Sequence, residues 1–263
     1  MIPELKKGDA ALEWAADSKG IPFFRMKNKM CSIGVDLLGN GQIKSFLNPA
    51  GNELLSGGFL AWLMFYDRLQ PEIISKIHTM RIVDNSPELV LKGSVGPYVG
   101  ANPVPNPLQG MEILRKYLLR DDMLEVEFSF RNTSDHAMTF GFRINNYPFP
   151  GKRFGAKTPV NTLSSGGKII TASPGKNIFA RSGKEIPFIR KMKSSVWDGG
   201  KISMTAQNGT MMDKLIFIPD SSFEGLMLWF SLESNTVELL SSDITIQPGK
   251  TAVFRYQVKV PVK

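Results

Sequence analysis

Residues 124–150 read LEVEFSFRNTSDHAMTFGFRINNYPFP. Leu124, Val126, Phe128 and Phe130 fall on one side of an extended chain, and Glu125, Glu127, Ser129 and Arg131 on the other. This is the period-two pattern of a strand with one buried and one wet face. After a polar turn the pattern resumes. Phe140, Phe142 and Ile144 point one way, and Gly141, Arg143, Asn145 and Tyr147 the other. A small residue followed by three hydrogen-bonding side chains makes that second face a polar platform for a ligand, but does not by itself name a reaction.

The same reading extends in both directions. Met30–Leu38 alternates loosely, Gly39-Asn40-Gly41 is a strong turn, and Gln42–Leu47 resumes as a strand, which predicts a hairpin. Further strands are expected at His78–Val83, Glu88–Gly93, Met111–Leu119, Lys168–Ala172, Lys201–Ala206, Lys214–Ile218, Gly225–Leu232, Thr236–Leu240 and Lys250–Val260. Helical periodicity is scarce, with short helices expected only near Asp9–Ala16 and Gln70–Ser75. Many strands without intervening helices argue for an all-β, antiparallel sandwich or barrel and against a parallel α/β sheet. Gly96–Pro107, GPYVGANPVPNP, is too rich in Pro and Gly for regular structure and reads as a long loop at a sheet rim. With no shift in composition along the 263 residues, a single β domain over 1–263 is expected.

Composition narrows the function classes. A net charge of +8 suits an anionic partner. It is spread over short groups, among them Lys6-Lys7, Arg25–Lys29, Lys152-Arg153 and Arg190–Lys193, with no nucleic-acid module, so no nucleic-acid partner is expected. The one cysteine, Cys31, excludes an internal disulfide and a cysteine zinc site and reads as a small core residue. Two histidines, His78 and His136, do not suffice for an all-histidine metal centre, and no cofactor is expected. The longest apolar run, Phe59–Tyr66, is far shorter than the roughly 20 residues of a membrane-spanning helix. The N-terminal residues lack the apolar stretch of a secretory signal. The expectation is a soluble chain of unknown compartment, periplasmic or secreted if a leader has been removed.

Three stretches carry a resemblance. Met111–Phe130, MEILRKYLLRDDMLEVEFSF, is followed by the polar turn Asn132-Thr133-Ser134. TVELLSSDITIQPGKTAVFRYQVKV, residues 236–260, places a glutamate-bearing strand before a Pro-Gly turn and a long last strand. NGQIKSFLNPAGNELL, residues 40–55, forms an opening hairpin. In their order along the chain they resemble the galactose mutarotase-like superfamily, which includes aldose epimerases and domains of polysaccharide lyases and glycoside hydrolases. The resemblance implies an antiparallel β-supersandwich with a concave sugar-binding face. It also implies, for an epimerase, a glutamate base and a histidine acid on opposite sides of a sugar ring.

Glu238 stands where the resemblance implies the base, with an ordinary surface glutamate as the alternative. Where the epimerases carry an Asn-His pair before an aromatic residue, this chain has Asn145-Asn146-Tyr147. Asn146 therefore occupies the histidine position, and an amide is no general acid near neutral pH. Arg143, Asn145, Asn146, Tyr147, Asp67, Arg68 and Trp229 are the expected substrate-binding residues, and Trp197 is a further candidate. Trp62, inside the apolar run, reads as core. Three functions follow: a carbohydrate-binding domain taking a saccharide, with the charge favouring an anionic one; an active aldose epimerase with Glu238 as base and a displaced acid; or a non-catalytic protein-interaction sandwich.

Overall fold

The computed structural model describes residues 4–17, 19–55, 58–66, 76–96, 98–99, 104–148, 160–165, 168–172, 175, 177–208, 211–230 and 235–261. The fold is all-β, and among these residues the only helical element is a single 3-10 turn, Pro187–Ile189. Two large sheets dominate. Among the described residues one has eleven strands and the other nine.

The larger sheet begins as a meander from Leu5–Lys7 to Phe59–Phe65. It continues through Phe142–Tyr147, Asn235–Leu240, Gly225–Phe230 and Ile178–Arg181 to the edge strand Ser195–Val196. The expected hairpin is present, with Ser32–Asp36 paired to Gln42–Leu47. The nine-stranded sheet centres on Met111–Arg120 and Met123–Asn132, paired without interruption from Met111↔Asn132 to Arg120↔Met123. Thr251–Lys259 lies on the other side of Met123–Asn132. Its outer hairpin, Lys76–Val83 with Ser86–Ser94, turns at Asp84 and Asn85. Both have positive φ, 51° and 57°, as a tight two-residue turn between right-twisted strands demands.

The apolar faces meet between the sheets. Phe142 packs edge-on against Phe254 at 4.6 Å and lies 4.8 Å from Phe130, while Phe65 approaches Phe130 at 6.2 Å. The alternation in residues 124–144 therefore has a direct cause: Val126, Phe128 and Phe130 from one sheet meet Phe142 and Ile144 from the other, all fully buried or nearly so. Burying each such side chain contributes about 1.5–3 kcal/mol, which fixes register because a one-residue slip would expose the whole set.

Two expectations change. Ala10–Ala16 is a strand, paired with Pro22–Lys27 and Leu5–Lys7, where a helix was expected from its alanines. Leu12 is buried in the inter-sheet core, so tertiary pairing overrides the local helix preference of Ala, Leu and Glu. Within Gly96–Pro107, Tyr98–Val99 pairs with Val104–Pro105 as a small ribbon. The helix expected at Gln70–Ser75 lies outside the described residues. No helix among the described residues is long and apolar enough to cross a membrane.

Candidate functional site

The outer face of the eleven-stranded sheet, turned away from the inter-sheet core, carries the platform anticipated from Arg143, Asn145 and Tyr147. Asn145 pairs across the ladder with Glu238 on one side and Trp62 on the other. Glu238 in turn pairs with Met227, and Thr236 with Trp229. Residues opposite each other in a ladder share a face. Strands about 90 residues apart in sequence thus set Arg143, Asn145, Thr236, Glu238, Met227 and Trp229 on one surface.

A cleft of about 310 Å³ opens there, lined by Arg143, Phe179, Phe188, Ile189, Met192, Met227, Trp229, Thr236 and Glu238. Glu238 forms its floor and is only 4% exposed. Arg143 Nη1 donates to Glu238 Oε2 at 2.6 Å, and Thr236 Oγ1 donates to Oε1 at 3.0 Å. Burial raises the Glu238 pKa above its ordinary 4.5, and the Arg143 charge and the two hydrogen bonds only partly oppose that rise. The site therefore holds a carboxyl whose proton affinity is enhanced, beside a fixed cation.

The 3-10 turn supplies the cleft wall. Arg143 lies 4.5 Å from the Phe188 ring centroid, and Tyr66 stacks on the same ring at 5.4 Å with planes 12° apart. Tyr66 passes over Gly141, where a Cβ would come within 2.4 Å of its ring, so the small residue that opens the platform is required by this crossing. The Tyr66 hydroxyl donates to the Ser241 carbonyl at 2.6 Å, anchoring the stack to the sheet. Burial raises its pKa well above the ordinary tyrosine value, which keeps it a donor.

Asn146 does something different from what its position suggested. It is 0% exposed and points into the inter-sheet core, away from Glu238. Its Oδ1 accepts from the Ala61 N–H at 3.0 Å and from the Tyr256 hydroxyl at 2.9 Å, and its Nδ2 donates to the Val237 carbonyl at 3.1 Å. It does not line the cleft where a substrate-binding role was expected, because on a strand whose Asn145 faces outward its neighbour must face inward. It holds a β-bulge. The register between Phe142–Tyr147 and Phe59–Phe65 shifts between Asn145 and Tyr147, and opposite the shift Ala61 adopts φ 61°.

That bulge corrects the reading of Trp62. Residues three apart on a regular strand lie on opposite faces, yet Phe59 and Trp62 meet edge-to-face at 5.3 Å. The extra residue turns Trp62 out to the face of Asn145, so it is half-buried at the platform and not core. Tyr147 joins the same group, 5.5 Å from Phe59. A bulge has no sequence signature in FLAWLMFY beyond its small alanine.

The remaining candidates separate cleanly. Trp229 is 41% exposed at the cleft, whereas Trp197 is 1% exposed and belongs to the core, its bulk enclosed where a ligand-facing role had been expected. Asp67 and Arg68 lie outside the described residues. His78 is exposed on the outer strand Lys76–Val83 of the other sheet, and His136 is exposed in a turn, 3.1 Å from Asp135. Neither histidine lines the cleft. Phe188, Phe179 and Met192, which do, escaped the sequence reading because they sit in segments without clear periodicity. Cys31 is buried and its thiol is pushed up to about 12 by burial, as suits a packing residue. No group of three or more His, Cys, Asp or Glu among the described residues is arranged to hold a metal ion.

No family model matches the sequence, and no curated protein matches it. Solved structures do. The chain is similar to a galactose mutarotase-like protein from Clostridium acetobutylicum, with TM-score 0.59 and 8% identity over 97% of this chain and 99% of that one. It is also similar to a galactose mutarotase related enzyme from Lactobacillus acidophilus, with TM-score 0.55 and 12% identity over 91% and 97% of the two chains. A third is a galactose mutarotase-like protein from Lactobacillus casei, with TM-score 0.50 and 13% identity over 95% and 100%. The chain has the galactose mutarotase-like fold, as an all-β stack of large antiparallel sheets.

Proposed function

We propose that the chain is a single carbohydrate-binding domain that takes a saccharide in the Arg143–Glu238 cleft. The observation that carries this is the floor of that cleft: a buried carboxyl–guanidinium pair flanked by the exposed face of Trp229 and the ring of Phe188. Planar charged groups recognise adjacent sugar hydroxyls, and aromatic faces cover the C–H surface of the ring. Arg190, Lys191 and Lys193 are all exposed and surround Met192 at the cleft wall, which favours uronic or sulfated sugars.

Glu238 as an epimerase base is the second reading, favoured by its raised pKa. That reaction also needs an acid across the ring, and among the described residues that line the cleft the charged groups are Glu238 and Arg143. An arginine keeps its proton at all relevant pH. Binding without anomer exchange is therefore the expected behaviour.

Calorimetric titration with galactose, glucose and galacturonate tests the proposal. Saturable binding, strongest for galacturonate and weakened by salt, is expected, with Glu238→Gln and Arg143→Ala abolishing it; failure of all three sugars to bind sinks the reading. Polarimetry on galactose and glucose should give the buffer rate. Binding that depends on the carboxylate should increase as pH rises through a midpoint above 4.5, since burial holds the proton on Glu238 to higher pH. A midpoint below 4.5 would contradict the burial of this group.

A further inference from the structure

A second hollow lies on the same outer face, and nothing in the cleft's chemistry requires it. It has a volume of about 280 Å³ and is lined among others by Phe23, Asp36, Lys44, Ser45 and Gly58. It exists because Gly34 has no side chain: a Cβ there would lie 2.8 Å from the Phe23 ring and 3.2 Å from Ser45 Cβ. Asp36 is held in place by accepting the Leu38 and Gly39 N–H groups at 3.0 and 2.8 Å. An apolar ring beneath a fixed carboxylate and an exposed ammonium repeats, in smaller form, the composition of the Glu238 cleft.

The two hollows share a face because Ile43 and Leu60, opposite each other where the strands meet, are both buried in the inter-sheet core. They are also bridged. Lys44 Nζ stands 5.2 Å from the Phe59 ring, and Phe59 touches both Trp62 and Tyr147. Gly58, a wall of the second hollow, lies so close against the Tyr147 carbonyl that a Cβ would come within 1.9 Å of it. Beyond Trp62 the ladder continues through Asn145 to Glu238. From Ser32–Asp36 to Asn235–Leu240 there are four strand-to-strand steps, so the row spans about 19 Å at roughly 4.8 Å per step.

We infer that this row is one continuous groove for a linear oligosaccharide, with the Phe23–Lys44 hollow as a distal subsite and Phe59, Trp62 and Tyr147 as the stacking surface between. The inference rests on the saccharide reading of the Glu238 cleft and extends it from one sugar ring to several. Each added unit contacts further aromatic and polar surface, while the association entropy is lost only once, so affinity should grow with chain length.

The test is calorimetric titration of the whole chain with linear homo-oligosaccharides from one to six units, in a neutral and a uronic series. Affinity at least tenfold higher for a tetrasaccharide than for its monosaccharide is expected. Lys44→Ala and Phe59→Ala should each remove most of that gain while leaving the monosaccharide affinity unchanged. Monosaccharide binding with no gain in length, or a gain that survives both substitutions, overturns the groove and leaves the Glu238 cleft standing. Absence of binding by every length overturns both readings, and circular dichroism of the exposed-site variant Lys44→Ala separates lost binding from lost folding.

Discussion

Arg143 and Arg115 are both withdrawn from water on β-strands, and they are held in opposite ways. Arg143, on the outer face of the eleven-stranded sheet, has a carboxylate at 2.6 Å and an aromatic ring at 4.5 Å. Arg115, 1% exposed between the sheets, has no carboxylate partner among the described residues. Its Nη1 donates to the Ala61 carbonyl at 3.4 Å, its guanidinium lies 5.3 Å from the Phe128 ring and beside the buried Tyr117 hydroxyl, and its Nε and Nη2 find no hydrogen-bond partner among the described residues. The difference separates two uses of a buried cation. At the cleft the charge orients a second charge. In the core it braces the backbone at the Ala61 bulge and leaves two donors unsatisfied.

Substituting each arginine should expose the contrast. Arg143→Ala leaves the Glu238 carboxylate buried without its cation and should destabilise the fold by about 3–5 kcal/mol at neutral pH, read by urea denaturation. Lowering the pH toward 4.5 should recover part of the loss, since protonation of Glu238 removes the unpaired charge. A pH-independent loss would mean that packing on Phe188, not the ion pair, carries the effect.

Asn146 comes next, because it connects the two regions from beneath. Asn146→Ala strands the Ala61 N–H, the Tyr256 hydroxyl and the Val237 carbonyl together, each orphan costing about 1–3 kcal/mol before relaxation or water entry. A net loss of about 2–3 kcal/mol is expected in the same denaturation experiment, with altered Trp62 fluorescence as the bulge relaxes. Asn146→His should bring no anomer exchange by polarimetry, since that side chain faces the core. A measurable rate would return Asn146 to the cleft.

The smallest effect has the opposite sign. Arg115→Met removes one long hydrogen bond, the contact with the Tyr117 hydroxyl and a cation–π contact but also an under-bonded buried charge, and should be neutral or stabilising by about 1 kcal/mol. A loss matching that of Arg143→Ala would erase the distinction between the two arginines.

Much of this was legible in the chain. Alternation at 124–147 placed Arg143, Asn145 and Tyr147 on one face and the phenylalanines on the other, whereas Asn146 was expected among the substrate-binding residues and proved to face inward, as its place between Asn145 and Tyr147 requires. Trp62 and Trp197 were not legible. Trp62 sits in an apolar run and Trp197 among Ser, Val, Asp and Gly, yet a bulge turns the first outward and packing by distant strands encloses the second. Asp9–Ala16 misled for a related reason, since alanine-rich propensity is worth only a few tenths of a kcal/mol per residue and yields to pairing on both edges.

The sequence by itself determined the central strands, the faces of residues 124–145 and the class of fold, because those follow from period-two burial within a few consecutive residues. Only the tertiary structure decided that Asn145 lies beside Glu238, that Arg143 reaches its carboxylate, and that Phe188 closes the wall. Those contacts join segments roughly 45 to 95 residues apart, and strand order, unlike strand periodicity, is set by how whole sheets bury their apolar faces.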